Sequence, residues 1–232
     1  MYTVMYNGET AESHYLLVSK RPDIPSAEDN MQVYTLPQMD GDLYIYDGTV
    51  KDVEISIEFN FISEPIEWMK VQRGAVTWLN RTDDRRLYLG DDPEWFYKVK
   101  KIKIDETQRK ARQIGTLTVS FICEGYCYHV DGAEKTSDRS IYNDYSICHP
   151  VYYIRGEGVC NLNVNGNTMR ANVGQSLTID TERKLAYRSD GTLLNTSVTG
   201  DYEKLYLRHG DNNISVTNGF TLETKTNMRC RL

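Results

Sequence analysis

Val53-Glu54-Ile55-Ser56-Ile57-Glu58-Phe59-Asn60-Phe61 alternates five apolar with four polar residues without a break. A period of two sets Val53, Ile55, Ile57, Phe59 and Phe61 on one face of a strand and the polar residues on the other, the pattern of a sheet buried on one side. The apolar face needs a cover, and the next segment offers one. Ser63 is placed to cap a helix, Pro65 stands in its first turn, and Trp68, Val71, Ala75, Trp78 and Leu79 recur at helical spacing. Strands are expected over 87–89, over 95–104 after the turn Asp91-Asp92-Pro93, and through the alternating Leu117, Val119, Phe121 and Cys123. Upstream, residues 1–47 are short apolar runs broken by Gly8, Arg21-Pro22, Ile24-Pro25, Leu36-Pro37 and Asp40-Gly41, which predicts short strands and an extended arm.

Residues 131–143 are polar and short of aliphatic side chains, so a link between domains is expected there. Beyond it, turn signals at Asn165-Gly166, Thr181-Glu182, Asp190-Gly191, Asp211-Asn212 and Asn218-Gly219 separate short runs such as Leu162/Val164, Leu177/Ile179, Leu205/Leu207 and Ile214/Val216. Strands about ten residues apart with no helical pattern predict an antiparallel β-sandwich. The chain is expected to be mainly β, with domains at 1–139 and 140–232.

Composition narrows the function. With 232 residues, 40% of them hydrophobic and 26% charged, the chain has the makings of a packed core, which excludes disordered and collagen-like classes. Seventeen tyrosines favour strands and contact surfaces. No apolar run is long enough to cross a bilayer, and residues 1–10 lack the basic and apolar regions of a signal peptide, so a chain kept in the cytoplasm or leaving it by a non-secretory route is expected. Five cysteines, an odd number, suggest reduced thiols. Cut after Arg139, the chain carries 17 Lys and Arg against 24 Asp and Glu before the cut, net −7, and 10 against 9 after it, net +1. The overall −6 argues against nucleic acid as the main ligand.

Chemistry-bearing patterns are thin. Cys123, Cys127 and His129, with Cys148 and His149 farther on, are the sharpest metal candidate, but the first pair is spaced C-x3-C on a strand and not in a knuckle turn, and cysteine is a common buried hydrophobe. His14, His129, His149 and His209 lie in no nucleophile, metalloprotease or phosphate-binding motif. Asp83-Asp84 and Asp91-Asp92 read as solvated turn formers before they read as glycosidase acids. No catalytic, cofactor-binding or metal site is predicted, and the chain is not read as an enzyme.

Lys98, Lys100, Lys101 and Lys103 lie on the strand after Trp95. In an extended strand the first two share one face and the last two the other. Such a ribbon either guards an edge against wrong pairing or meets an acidic neighbouring subunit. A β-sandwich can also serve as a carbohydrate-binding module recognising cell-wall glycan. Against that, Trp68, Trp78 and Trp95 all fall in the first half, leaving Tyr152, Tyr153, Tyr187, Tyr202 and Tyr206 as platforms.

Taken in order, Gly41-Asp42-Leu43-Tyr44, the strand 53–61, the helix ending Val76-Thr77-Trp78-Leu79, Leu87-Tyr88-Leu89-Gly90-Asp91-Asp92-Pro93-Glu94-Trp95-Phe96-Tyr97 and Gly115-Thr116-Leu117-Thr118-Val119-Ser120-Phe121 resemble the distal tail proteins of long non-contractile-tailed bacteriophages or prophages of Gram-positive bacteria. In the second half His149-Pro150-Val151-Tyr152-Tyr153-Ile154-Arg155-Gly156, Leu177-Thr178-Ile179-Asp180, Asp190-Gly191 and the segment Leu205-Tyr206-Leu207-Arg208-His209-Gly210-Asp211-Asn212-Asn213-Ile214 continue the resemblance. It implies an N-terminal β-rich ring-forming domain with one helix and an extended arm, then a galectin-like antiparallel β-sandwich. It also implies a hexameric ring at the virion tail tip, assembled in the bacterial host cytoplasm. The ring would join the tail tube protein to a tail-associated or fibre protein and carry receptor-binding or baseplate proteins, with no membrane contact. DNA would pass through such a ring without specific binding, so its inner wall should be neutral or acidic. Glu54 and Glu58 are the lumen-facing candidates, with Lys98, Lys100, Lys101 and Lys103 at subunit contacts or outside.

Overall fold

The computed structural model describes residues 2–38 and 40–232. The chain forms two compact units, Met1–Cys127 with Arg231–Leu232, and Tyr128–Cys230. In chain order the first carries β1 (Val4–Tyr6), β2 (Glu9–Thr10), β3 (Leu17–Val18), β4 (Asp29–Thr35), β5 (Asp42–Val50), β6 (Val53–Ile62), helix α1 (Trp68–Leu79), β7 (Arg86–Leu89), β8 (Asp92–Ile104), β9 (Gln108–Arg109) and β10 (Ile114–His129). The second follows with β11 (Lys135–Thr136), β12 (Ser140–Asn143), β13 (Val151–Val164), β14 (Asn167–Asp180), β15 (Leu185–Tyr187), β16 (Val198–Thr199), β17 (Gly210–Val216), β18 (Thr221–Lys225) and β19 (Arg229–Arg231).

In the first unit the sheet runs β2-β1-β7-β8-β10-β6-β3. The alternating stretch is β6, and its five apolar residues are buried as its period requires. It lies antiparallel to β10 from Ile62 opposite Ile114 to Val53 opposite Cys123, so Leu117, Val119 and Phe121 share its apolar face. Helix α1 covers that face. Trp68 packs on Phe61 with ring centroids 5.3 Å apart. At the other end Trp78 meets Tyr6 edge-on, at 6.1 Å, and its indole N–H donates to the Tyr6 carbonyl.

The helix begins later than expected. Its N-cap is Glu67, no side chain caps it, and Pro65 lies in the turn before it. The Ser63 amide instead donates to the Gln113 carbonyl, which ties residue 63 to the sheet edge and leaves its hydroxyl buried without a partner. Strand geometry thus takes Ser63 before the helix can.

Where β10 passes under the Phe61 ring there is no room for a side chain. A Cβ on Gly115, which stands opposite Phe61, would come within 2.2 Å of that ring. Gly115→Ala is expected to cost about 1–3 kcal/mol by forcing Phe61 off its rotamer. Urea denaturation checks this, and an unchanged midpoint contradicts it.

The second unit is built on one long hairpin. β13 and β14 pair over fourteen residues, and Asn165-Gly166 closes them with positive φ at both positions, as a two-residue hairpin loop demands. Gly156 and Gln175, opposite each other, also have positive φ, and the hairpin turns there. At one end β18 and β15 flank it; at the other, β17 and β16 do. Ile154 and Leu177 from the first end and Leu162 and Ala171 from the second meet in one core.

Three sequence expectations need correction. The runs Leu162/Val164 and Leu177/Ile179 belong to 14-residue strands rather than short ones. Leu205 ends a short 3-10 helix begun by Asp201, whose carboxylate accepts from the Glu203 amide, and Leu207 makes only a single bridge to Cys148. Asp211-Asn212 is no turn but part of β17. The buried Asn212 amide closes the turn upstream, accepting from the Arg208 N–H at 2.9 Å and donating to the Arg208 and Gly210 carbonyls. Residues 131–143 carry a 3-10 turn at Asp131–Ala133 and strands β11 and β12, which pair with β18 and β17.

Candidate assembly surfaces

Among the described residues, strands β4 and β5 pair with each other and with no other strand. Their register sets Met31 opposite Tyr46 and Val33 opposite Tyr44 on one face, and Tyr34 opposite Leu43 and Gln32 opposite Ile45 on the other. Both faces are exposed: Val33 is 53% and Tyr44 61% accessible on the first, Tyr34 45% and Ile45 47% on the second. A two-stranded hairpin alone in water is marginal, and this one shows apolar side chains on both sides. Its base is tied down, with Lys51 paired to Glu28 at 2.9 Å, Arg231 to Asp29 at 2.6 Å, and the Ala27 amide donating to the Leu232 carbonyl. Sequence reading expected an extended arm here. The hairpin with two apolar faces was there to find in Leu43-Tyr44-Ile45-Tyr46, which leaves no polar face.

The four lysines on β8 do not behave as one ribbon. Lys100 pairs with Asp52 at 2.7 Å and Lys103 with Glu54 at 3.5 Å. Asp52 stands just before β6 and Glu54 on its polar face, so both lysines reach the same neighbourhood although their places on the strand would set them on opposite faces. Lys98 is half-buried opposite Arg86. Lys101 lines a groove of about 220 Å³ with Arg85, Arg81, Tyr6, Leu79 and Val99.

Glu54, set apart from the lysines in the sequence reading, is thus brought beside Lys103. A Ser120 hydrogen bond and then the Lys103 charge hold its carboxyl below the usual range. Glu58 stands opposite Thr118, where it shares a polar hollow with Asp105 and Glu106.

A larger groove of about 430 Å³ runs between α1 and the 3-10 helix Ala11–His14, lined by Tyr15, Ile62, Val71 and Ala75 with Glu64 and Glu67 on its rim. Ile62 is 66% exposed and Ile66, close by in sequence, 90%.

Among the described residues no group of three His, Cys, Asp or Glu could hold a metal ion. All five cysteines are outside disulfides. Burial pushes the Cys123 thiol up to about 12, and raises Cys148 and Cys160 as well. At pH 8 iodoacetamide should therefore leave Cys123 unmodified in the native protein and label it in urea. Labelling at the rate of a free thiol in the native state would contradict this, and mass spectrometry reads it directly.

The tyrosine platforms are largely taken by the chain itself. Tyr152 is buried and its hydroxyl donates to the Leu205 carbonyl; Tyr153 lies 3.8 Å from the Lys135 ammonium; Tyr206 stacks on His149 at 4.2 Å.

No protein-family model and no curated protein sequence matches the chain. Among solved structures, the fold is similar to that of SPP1 Dit (gp 19.1), described as a paradigm of the hub adsorption apparatus in phages infecting Gram-positive bacteria. The TM-score is 0.69 with 12% sequence identity, over 100% of this chain and 99% of the other. At that identity the similarity is one of fold. No helix among the described residues is long and apolar enough to cross a membrane.

Proposed function

We propose that this protein is a structural hub of a phage tail tip, a hexameric ring that joins the tail tube to a tail-associated or fibre protein and carries receptor-binding proteins. The observation that supports it most is the end-to-end similarity of fold to SPP1 Dit, with neither chain holding a large segment the other lacks. The arm supplies a physical means. A hairpin with two exposed apolar faces gains stability when a second molecule covers it, and a contact between unlike surfaces of identical chains closes into a ring when its rotation allows.

On this reading the second unit is a galectin-like sandwich that binds partner proteins rather than sugar. The acidic hollow at Glu58 belongs to the lumen wall, where it keeps DNA moving. Glu54, neutralised by Lys103, contributes less to that wall.

Native mass spectrometry of the full chain tests the reading. A particle of six chains is the expected result. A monomer that is retained on cell-wall glycan would favour a carbohydrate-binding module instead.

A further inference from the structure

The arm has a charge as well as apolar faces. Between Asn30 and Val50 it carries Asp40, Asp42 and Asp47 and no lysine or arginine. Its receptor must therefore tolerate negative charge, and the groove beside α1 and the one beneath β8 differ in this respect. The groove beside α1 has Glu64 and Glu67 on its rim, and its Lys70 is already paired with Glu67 at 2.8 Å. An acidic arm laid there meets like charge.

The groove beneath β8 offers the opposite sign. Arg81 is held by Glu9 at 2.6 Å and Asp83 at 2.9 Å, Lys100 by Asp52, and neighbouring Arg86 by Asp84. Arg85 and Lys101 line the same groove, and among the described residues neither has a carboxylate within 4.0 Å. Arg85 gives one N–H to the Lys100 carbonyl at 3.2 Å and keeps its other donors facing outward. Two cations are thus left without a counter-charge, above Tyr6, Leu79 and Val99, whose side chains are themselves buried in the core.

We infer that the groove lined by Arg85 and Lys101 receives the acidic arm of a second copy of this chain, with Asp42 and Asp47 as its counter-charges. The inference rests on the ring reading and adds the surface that closes it. Asp42 and Asp47 lie on β5, at opposite ends of the apolar run Leu43-Tyr44-Ile45-Tyr46. Acidic charge at both ends of that run matches the cationic rim of the groove. Because the charges are exposed, the contact should weaken steeply with salt.

The test uses full-length protein. Zero-length carbodiimide coupling of a mixture of ¹⁴N- and ¹⁵N-labelled chains should give mixed-isotope peptides joining Asp42 or Asp47 to Lys101. The variant Arg85→Glu/Lys101→Glu should associate at least about tenfold more weakly, and adding Asp42→Lys/Asp47→Lys in the same chain should restore association. Thermal melts of the monomers confirm that the variants fold. If wild-type rings form and the Arg85→Glu/Lys101→Glu chain assembles equally well, the inference falls while the hub reading stands. If no chain associates and no intermolecular peptide is found, both fall.

Discussion

Replacing Trp78 by alanine should lower the stability of the first unit by about 3–5 kcal/mol, the range for emptying a fully buried large aromatic site. Trp78 is 1% exposed and closes the core where α1 meets β1 and the 3-10 helix Ala11–His14. Its ring is stacked by His14 at 4.6 Å, touched edge-on by Tyr6, and held in register by the indole N–H on the Tyr6 carbonyl. Truncation removes the packing and leaves that carbonyl without its buried donor, a second loss on top of the cavity. The melting temperature should fall by about 10 °C or more. Trp78→Phe, which keeps most of the volume and loses the hydrogen bond, should fall between wild type and Trp78→Ala. Far-ultraviolet circular dichroism on heating measures both, and a Trp78→Ala midpoint within 2 or 3 °C of wild type, small on the same scale, would show that the site collapses around the gap.

Removing the arm should have the opposite profile: little change in folding and loss of assembly. Asp29 and Val50 stand opposite each other where the hairpin begins, so residues 31–48 can be replaced by a two-residue Asn-Gly turn without stretching the chain. Val50, which packs against the core, is kept, and of the residues removed Met31, Val33, Tyr34, Leu43, Tyr44, Ile45 and Tyr46 all lie outside the core, so the melting temperature of the shortened chain should stay close to wild type. Its mass in solution should be that of one chain at concentrations where the intact protein is oligomeric. A shortened chain that still forms the full particle would show that the sheet edges alone suffice. Milder substitution of Val33, Tyr44 and Tyr46 by serine, all on the arm's surface, should weaken assembly in proportion to the apolar area lost.

How much of this could be read beforehand depended on whether a residue's role was local. Strand β6 was legible because one buried face imposes a period of two, and the cover over it because Trp68, Ala75, Trp78 and Leu79 fall on one helical stripe. The Asn165-Gly166 hairpin was legible because positive φ at both positions selects those residues. Ser63 misled because a capping residue and a sheet-edge residue look alike until the Gln113 carbonyl is in place. Asn212 misled because its side chain serves a turn two residues upstream of the one its position suggests.

The candidate surfaces were harder still. Lys98, Lys100, Lys101 and Lys103 are equivalent in sequence, and only the positions of Asp52, just before β6, and Glu54, on it, separate the paired Lys100 and Lys103 from Lys101. The acidic partner of Lys103 was itself one of the residues assigned elsewhere. Charge counted along the chain could not reveal that.

The tie between Arg231, Leu232 and the base of the arm also sets an order in time. Asp29 and Ala27 are translated early, yet their partners Arg231 and Leu232 follow the whole of the second unit. At ribosomal speeds of about 5–20 residues per second, the arm's root is held by the Lys51–Glu28 contact alone for roughly 10–40 s after it emerges. A nascent chain therefore cannot present a firmly anchored arm to its neighbours on the same messenger, where crowding of half-made copies would otherwise favour premature polymers. An arm fastened at both points therefore belongs only to chains read through Arg231 and Leu232, and a ring that needs it held firmly draws on those.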